Sequence, residues 1–587
     1  MLTYRAPIAD FRFLLRDVFD HDGVVAALPP FADAPLDTVM AVLEEAGGFS
    51  EQVLLPLNGV GDEQGCTYRD GAVRTPDGFR EAYAALVAGG WSGIGVAPER
   101  GGAGLPGVVQ AAFEEMACSG NLAFATYPLL SAGAASALCA HASAEQVERY
   151  VPHLASGEWS GTMCLTEAQA GTDLGLLRTA AEPAGDGTFR LNGTKVFITG
   201  GEHDLTDQIV HLVLARLPDA PAGTAGISLF VVPKLRPDGD PNGVTCGSIE
   251  HKMGIRGSAT CVLHFEGAVG ELVGAPHAGM AQMFTMMNRA RLGVGIQGVG
   301  IGEVAYQTAV AYARQRLQGR APGRAHGNGA GADPIIAHPD VRRALLRMRA
   351  LTEAGRALAV WVAVELDVAH HHLVASRREA ADDLVALLTP IVKAACTDNG
   401  FEAANLAIGV HGGAGYITES GVEQLARDAR ISQIYEGTNG VQALDLIGRK
   451  LPLHHGRLLR RFFHPAVARA TAPQPAELAA VAGPVADALT HLQETTIWLG
   501  TAGRDREQAA AAATDYLRLF ALTAFGDLWL RMAAACLEPA AGDAAFATAK
   551  LATARFYADR ILPETAALAR AVRSGKTSIT AMSDDAF

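Results

Sequence analysis

The stretch Phe189-Arg190-Leu191-Asn192-Gly193-Thr194-Lys195-Val196-Phe197-Ile198-Thr199 is rich in β-branched and aromatic residues. Residues 209–215 and 227–232 have the same character, and Gly, Pro and Asp residues separate these short runs. Runs of this kind, bounded by turn residues, predict β-strands. The chain from about residue 159 to residue 275 is therefore expected to be a β-domain.

The residues on either side of this β-region have a helical character. Residues 1–158 are rich in Ala, Leu and Glu with helical periodicity, and residues 277–450 return to long helical periodicity, interrupted by a Gly/Pro-rich loop from Gly319 to Pro339. From about residue 455 the chain is Ala-rich, which favours helix strongly. Because helices and strands are segregated along the chain, the predicted fold class is α+β rather than alternating α/β.

The composition limits the possible functions. The chain has 587 residues, too many for one core, and 49% of them are hydrophobic. Its net charge is -14 and no basic patch is visible, which argues against nucleic acid as a partner. An anionic cofactor would have to rely on local Arg residues, helix N-termini and backbone N–H groups.

The cysteines and the apolar runs indicate the compartment. The eight Cys residues include no C-x-x-C pair, which argues against a zinc site or a disulfide framework and fits a reduced cytoplasm. The N-terminus lacks a basic-then-apolar signal segment. The sequence also contains no uninterrupted run of about 18 apolar residues, the length that would predict a membrane span. The sequence therefore predicts a cytoplasmic protein without a membrane span.

Two patterns are set aside. Residues 293–298 match G-x-G-x-x-G, but the preceding residues 280–291 predict a helix instead of the strand that a dinucleotide-binding motif requires. We expect these glycines to permit close helix packing. His370-His371-His372 cannot converge on one ion from consecutive helical positions, so no metal site is predicted.

The hexapeptide Ile434-Tyr435-Glu436-Gly437-Thr438-Asn439 places one carboxylate between a Tyr and a Gly. Apolar neighbours partly desolvate a carboxylate, which makes it a stronger base, and a Gly lets a ligand approach the backbone. The alternative is an ordinary loop Glu before a helix that starts near Gly440. The hexapeptide alone leaves both interpretations open.

A second candidate region lies at the start of the β-domain. The segment from Gly161 to Asp173 runs from a predicted strand into a loop rich in Thr and Gly, which offers hydroxyl and backbone donors side by side. Phe197 and Thr199 place an aromatic face beside another hydroxyl. Such donors suit the edge of a polar heteroaromatic ring and phosphate groups.

Taken together, these motifs resemble those of the acyl-CoA dehydrogenase family of flavoproteins. The resembling residues follow the family order over roughly residues 80–450, and they are Cys164-Leu165-Thr166-Glu167, Gly171-Thr172-Asp173, Phe197-Ile198-Thr199, Tyr312-Ala313, Arg316, His411-Gly412-Gly413-Ala414-Gly415-Tyr416, Arg427-Asp428-Ala429-Arg430 and Ile434-Tyr435-Glu436-Gly437-Thr438. The opening residues 4–13 and the long helical tail look like the larger subgroup with extra segments at both ends. That subgroup includes enzymes acting on 3-methylmercaptopropionyl-CoA and some broad-range fatty acyl-CoA dehydrogenases.

The resemblance implies five segments in this chain. They are an N-terminal extension (1–35), a helical N-domain (36–158), a middle β-domain (159–275), a helical-bundle C-domain (276–452) and an extra C-terminal helical domain (453–587). The role of the last segment is open between extra packing, cover for a dimer surface and narrowing of the acyl pocket, and extra packing is the expected role.

The resemblance also implies FAD as the cofactor and assigns residues to it. The residues expected to contact FAD are Met163, Leu165, Thr166, Gly171, Thr172, Phe197, Thr199, Arg316, Gly412, Gly413, Thr438 and Asn439. Of these, Arg316 is expected to reach the FAD phosphates of a neighbouring subunit. The protein is thus expected to be a homodimer or a dimer of dimers.

The implied reaction is the conversion of an acyl-CoA thioester to the 2,3-enoyl-CoA. Glu436 occupies the position of the family's base and would remove the α proton while hydride leaves the β carbon for flavin N5. The residues expected to contact the substrate are Thr172, Arg291, Tyr435 and Gly437. An electron-transfer flavoprotein is the expected electron acceptor.

Two alternatives remain at the level of sequence. One is an acyl-CoA oxidase, which performs the same half-reaction with oxygen as acceptor and would produce hydrogen peroxide. The other is a catalytically silent partner subunit that keeps the fold for assembly. Retention of Glu436, Thr166 and Thr438 argues against the silent subunit.

Overall fold

The computed structural model describes residues 2–323, 331–503, 505–538 and 543–587. The chain forms two compact units. One, here called the β unit, is Gly48–Gly293, and the other, here called the helical unit, comprises Met1–Gly47 and Val294–Phe587. The predicted domain boundaries stay a prediction.

The α-helices of the described residues run through most of the chain. In order they are α1 Ile8–Phe13, α2 His21–Val24, α3 Leu36–Phe49, α4 Leu55–Gln64, α5 Phe79–Ala88, α6 Gly107–His141, α7 Ala144–Ser156, α8 Gly279–Gln315, α9 Pro339–His371, α10 Ala375–His411, α11 Val422–Ala429, α12 Asn439–Asp445, α13 Arg457–Thr471, α14 Ala476–Ala502, α15 Arg506–Ala535, α16 Ala544–Arg560, α17 Glu564–Arg573 and α18 Thr577–Thr580.

The strands lie in the β unit. A small hairpin joins β1 Thr67–Arg69 and β2 Ala72–Arg74. The main sheet has seven strands, which are β3 Trp159–Cys164, β4 Ala180–Pro183, β5 Phe189–Thr199, β6 Gln208–Arg216, β7 Ile227–Pro233, β8 Val244–Ile249 and β9 Thr260–Leu272. The three strands predicted from composition correspond to β5, β6 and β7, and the predicted α+β fold is confirmed.

The pairing of the main sheet closes on itself. Its order is β3-β6-β4-β5-β9-β7, β7 also pairs with β6, and β8 pairs with β9. Strand β3 runs parallel to β6, whereas β5 and β9 are antiparallel. Apolar residues of β5, β6, β7 and β9 form a core inside this sheet, so the sheet is a rigid support for the loops at its ends.

Helix α6 is long and apolar enough to cross a membrane by length and composition. However, 72% of its most apolar window is buried inside the protein. The residue Asn121 breaks its helical geometry, and Pro128 lies inside it. Burial in a domain core accounts for its composition.

Close packing between α8 and α10 explains the glycine motif at residues 293–298. A Cβ atom on Gly298 would lie 2.2 Å from the backbone oxygen of Cys396, and one on Gly295 would lie 2.9 Å from that of Val392. Since both glycines lie inside α8, the prediction that they permit close helix packing is confirmed.

A buried charged cluster holds the helical unit together. Arg356 on α9 lies 2.6 Å from Asp10 on α1 and 2.6 Å from Glu303 on α8. Lys550 on α16 pairs with Asp10 as well and lies 2.8 Å from Glu353. The cluster therefore links the first helix of the chain to one near its end.

The predicted Gly/Pro-rich loop from Gly319 to Pro339 is only partly described, because residues 324–330 lie outside the described residues. On its flanks, Leu317 forms a bridge with Pro334, and the Gln318 N–H donates to the Asp333 oxygen at 3.0 Å. Helix α9 begins at Pro339, where a proline is favoured because the first helical N–H needs no partner.

Candidate active site

The first predicted cofactor segment follows β3 in the β unit. Its Leu165 side chain is buried in the core, so only its backbone is available to a ligand, whereas Met163 and Thr166 are half-buried. Gly171 and Thr172 are exposed on the following turn, and Asp173 caps the short helix after it by accepting from the Gly175 N–H at 3.0 Å.

The second predicted segment, in β5, lies beside the first. The pairing between β5 and β9 shifts register between Lys195 and Ile198, which leaves Val196 and Phe197 in a bulge. The Val196 N–H donates instead to the Thr166 oxygen at 2.9 Å. The structure thus places the Thr166 segment beside the Phe197 segment, and their shared contact with FAD stays a prediction.

Phe197 has an unusual conformation and exposure. Its φ is 60°, in the left-handed region, and its side chain is 63% exposed. A bulky residue at positive φ is an outlier that persists only where the surrounding structure enforces it, and such residues cluster at functional sites. The half-buried Thr199 follows at the end of the same strand, opposite Thr260.

Arg291 belongs to the part of α8 that lies in the β unit. It is 6% exposed, and its guanidinium carbon lies 5.8 Å from the centre of the Phe284 ring. The predicted contact between Arg291 and the substrate stays a prediction.

The Glu436 turn lies in the helical unit just before α12. Glu436 has a φ of 56° and Gly437 a φ of 83°, so two successive residues are left-handed. The Gln442 amide donates to the Glu436 oxygen at 3.1 Å and to the Gly437 oxygen at 3.3 Å. Because Gln442 is fully buried, it holds both carbonyl groups from the protein side of the turn.

The residues on either side of Glu436 are bonded to the helices around them. The Tyr435 hydroxyl donates to Gln297 on α8 at 2.5 Å. Thr438 caps α12, its side chain accepting from the Val441 N–H at 3.2 Å. The Asn439 amide group donates to Asp398 on α10 at 2.7 Å and accepts from the Lys393 ammonium at 2.9 Å. The side chain of Asn439 therefore fixes the turn to α10, and its contact with FAD stays a prediction.

The remaining predicted residues form a separate group at the end of α10. Gly412, at φ 60°, follows that helix, and a Cβ atom on Gly412 or Gly413 would meet nothing within 4 Å. The His411 ring stacks on Tyr312 with ring centres 4.2 Å apart, and the exposed Arg316 follows one turn later. Asp398 and His411 are separated by 13 residues of α10, about 20 Å along the helix axis. Asp398, to which Asn439 is bonded, consequently lies far from this group along α10.

A surface cavity of about 340 Å³ also lies in the β unit, between the end of α4 and the β8–β9 connection. Its lining includes Asp62, Glu250, Lys252 and Arg256 and contains none of the predicted site residues.

Four family models match consecutive parts of the chain. They are described as the N-terminal (residues 41–158), middle (162–268) and C-terminal (277–451) domains of acyl-CoA dehydrogenase and as an acetyl-CoA dehydrogenase C-terminal-like domain (463–583). The chain belongs to the acyl-CoA dehydrogenase family.

Similar proteins match this chain over almost its whole length. The chain is 44% identical to 3-methylmercaptopropionyl-CoA dehydrogenase of Ruegeria pomeroyi, over 99% of this chain and 100% of the relative. It is 31% identical to the broad-specificity linear acyl-CoA dehydrogenase FadE5 of Mycobacterium tuberculosis, over 100% of both chains. The crystal structure of a Bacillus anthracis acyl-CoA dehydrogenase complexed with FAD superposes with a TM-score of 0.77 at 21% identity, covering 99% of this chain and 93% of that one.

As a member of this family the protein is a flavin-dependent oxidoreductase whose cofactor is FAD. The residues present fit this group. Phe197 offers an exposed aromatic face beside the Thr166 backbone, and Gly412 and Gly413 leave open space where a side chain would block a ligand. The exposed Arg316 supplies a positive charge for phosphate groups in an otherwise acidic protein.

Sequence reasoning missed two residues that support the site. One is Lys195. The sequence indicates its burial only through its spacing of four positions from Leu191, which places both side chains on the buried face of β5. The other is Gln442, whose position on the first turns of α12 gives no sign of its bonds to the Glu436 turn.

Proposed function

We propose that this protein catalyses the FAD-dependent α,β-dehydrogenation of an acyl-CoA thioester, with Glu436 as the base that removes the α proton. The observation that carries the proposal is the geometry of Glu436. It stands in a left-handed turn at the position of the family's base, and the buried Gln442 holds that turn from behind. Residues held in a strained conformation by the surrounding structure cluster at active sites, which favours a catalytic role for Glu436.

The chain's own residues have three tasks in this reaction. Glu436 accepts the proton from the carbon next to the thioester carbonyl. Because that proton is only weakly acidic, the thioester oxygen must be held by donors as enolate charge develops, and the Glu436 backbone N–H is the donor that the family pattern assigns. Tyr435, fixed to Gln297, limits movement of the turn during proton transfer.

FAD supplies the acceptor for the hydride that leaves the β carbon. The residues proposed to hold it are the Thr166 and Phe197 segments in the β unit and Thr438 in the helical unit. Arg316, Gly412 and Gly413 are proposed to serve its phosphate and adenine end, with Arg316 reaching the cofactor of a neighbouring subunit. This arrangement requires at least a homodimer, which sedimentation or light scattering would test.

The substrate class is proposed from the similar proteins. The relative with 44% identity is named for a thioether-containing acyl-CoA, and the one with 31% identity for linear acyl-CoAs. Anaerobic reduction of the bound flavin with short, long and thioether-containing acyl-CoAs would rank them, and we expect the thioether-containing substrate to reduce it fastest.

An electron-transfer flavoprotein in the cytoplasm is the proposed electron acceptor. Turnover should then depend on that protein or on an artificial one-electron acceptor. Stoichiometric hydrogen peroxide in aerated buffer would instead identify an oxidase.

The proposed base is tested by Glu436→Gln. This substitution keeps the size of the side chain but removes its ability to accept a proton, so we expect turnover to fall by about 10²–10⁴-fold, the usual contribution of a general base. FAD should stay bound, and the flavin absorbance should no longer decrease with acyl-CoA under anaerobic conditions.

The matched control is Glu419→Gln, an exposed carboxylate in the short helix before α11. It should bleach the flavin at the wild-type rate. Wild-type bleaching by Glu436→Gln would contradict the assignment of the base.

A further inference from the structure

We propose that the buried ion pair of Glu167 and Lys195 is a positioning element for FAD. It joins the two segments proposed to face the isoalloxazine ring and keeps Phe197 in its left-handed conformation. This inference rests on the proposed placement of FAD against those segments. Neither Glu167 nor Lys195 is proposed to touch the cofactor or the substrate.

The Lys195 ammonium links the strand to the loop. It is fully buried, and it donates to the Leu165 backbone oxygen at 3.0 Å and to the Glu167 carboxylate at 2.9 Å. One acceptor belongs to the residue before Thr166 and the other to the residue after it. A single side chain of β5, two residues before Phe197, thus fixes the loop that presents Thr166.

The Glu167 carboxylate collects the bonds that hold the loop to the rest of the sheet. Its Oε1 accepts from the Thr179 hydroxyl at 2.6 Å and the Thr179 N–H at 3.0 Å, and its Oε2 accepts from the Arg178 N–H at 2.7 Å and the Gln169 amide at 2.6 Å. Burial alone would raise the pKa of Glu167, but the charge of Lys195 and these hydrogen bonds lower it to about 2. Glu167 is therefore an anion at neutral pH, fully bonded by protein groups.

The ion pair lies next to the bulge in β5. Lys195 still pairs with Leu263 of β9 and Ile198 with Cys261, but Val196 and Phe197 between them leave that register. The Val196 N–H then bonds Thr166, and Phe197 points its ring outwards at φ 60°. Without Lys195 the loop would lose two of its three bonds to this part of β5, and the bond from the Val196 N–H to Thr166 would be left to hold Phe197 out of ordinary strand geometry.

The test compares two buried lysines. Lys195→Met and Lys550→Met both remove an ammonium group that is at most 1% exposed and is paired with carboxylate, the first beneath the proposed FAD face and the second in the helical unit. Both holoenzymes are expected to lose thermal stability, because each substitution removes a buried cation from its carboxylate partners, Glu167 in the first and Asp10 and Glu353 in the second.

Only Lys195→Met is expected to change the cofactor site. We expect the FAD dissociation constant to rise on the order of tenfold or more, the scale at which loss of a group that orients a ligand-binding residue acts. The visible absorption bands of the remaining bound flavin should shift. Lys550→Met should keep the wild-type dissociation constant and spectrum.

Two further variants keep the proposal falsifiable if Lys195→Met fails to fold. Lys195→Arg retains the charge and should restore much of the FAD affinity, and Glu167→Gln retains the side-chain size and should weaken FAD binding less than Lys195→Met. If Lys195→Met binds FAD with the wild-type constant and spectrum, or if Glu167→Gln does so where Lys195→Met fails to fold, the pair is only structural and the proposal is overturned.

The outcome is separable from that of the proposed function. Loss of flavin bleaching in Glu436→Gln with unaltered FAD binding in Lys195→Met would reject the positioning role alone. Wild-type bleaching in Glu436→Gln with altered FAD binding in Lys195→Met would reject the base alone.

Discussion

Phe197 in the β unit and Glu436 in the helical unit have the same unfavourable backbone geometry, with φ values of 60° and 56°. Each is a proposed site residue, and each has a buried polar side chain close to it in sequence. The support that we propose for Phe197 is the charged Lys195, paired with Glu167, whereas the Glu436 carbonyl accepts from the neutral amide of Gln442. The comparison teaches that one kind of strain can be maintained by a charged or by a neutral support.

The two supports should respond differently to perturbation. A buried ion pair leaves an uncompensated charge when one partner is lost, and it depends on pH because the carboxylate can be protonated. A buried amide carries no charge, so its support does not titrate. Three experiments use this difference.

The largest effect is expected from Gln442→Leu. The substitution removes the donors to the Glu436 and Gly437 carbonyls and frees the turn that carries the base. We expect kcat to fall by about 10²-fold, the cost of misplacing a reacting group, with little change in FAD binding.

Gln424→Leu is a suitable control, because Gln424 is also a buried glutamine, on α11, but its amide donates to Asp428 at 3.1 Å. It should lower stability without an equal loss of kcat. A Gln442→Leu enzyme with the wild-type kcat would show that the Glu436 turn needs no such support.

An intermediate effect is expected from Phe197→Gly. Glycine adopts positive φ without strain, so the free energy of unfolding should rise by about 1 kcal/mol, while loss of the aromatic face should weaken FAD binding about tenfold. Thermal unfolding and titration with FAD measure the two changes.

Asp219→Gly relieves a comparable φ of 58° in an exposed turn of the same unit. It should increase stability alone. If Phe197→Gly were destabilising at unchanged FAD affinity, Phe197 would be a packing residue.

The smallest effect concerns pH. Since the folded-state pKa of Glu167 is about 2, below its ordinary value of 4.5, its contribution to stability is complete above about pH 4.5 and is lost as the pH falls towards 2. We expect the difference in melting temperature between the wild type and Glu167→Gln to be constant from pH 7 to 5 and to narrow below pH 4.5.

The difference in melting temperature between the wild type and the Gln442→Leu enzyme should stay constant over the same pH range. If this difference narrowed below pH 4.5, the distinction between a charged and a neutral support would fail.

Much of the fold could be predicted because it depends on local composition. The β-branched runs that became β5, β6 and β7 and the helical region that contains residues 293–298 were identified from sequence, and the glycines in α8 were correctly interpreted as packing residues. The membership in the acyl-CoA dehydrogenase family also followed from short motifs in a fixed order, and the family models confirm it.

Several bonds that hold these segments could not be predicted, because they join residues distant in sequence. Lys195 meets Glu167 across 28 positions, and Gln297 meets Tyr435 across 138. Asn439 was predicted to contact FAD, and only the structure shows that its amide is bonded to α10.

The sequence by itself determined the order of helices and strands and the motifs that resemble the acyl-CoA dehydrogenase family, since these depend on residue type and local spacing. Through that resemblance it also implied FAD and the position of the carboxylate proposed as base. The tertiary structure alone decided that β5 leaves its register at Val196 and Phe197 and that a buried lysine joins this bulge to the Thr166 loop. The physical reason is that a hydrogen bond or a buried charge is stable only when its partner is brought to within about 3 Å by the packing of the whole domain.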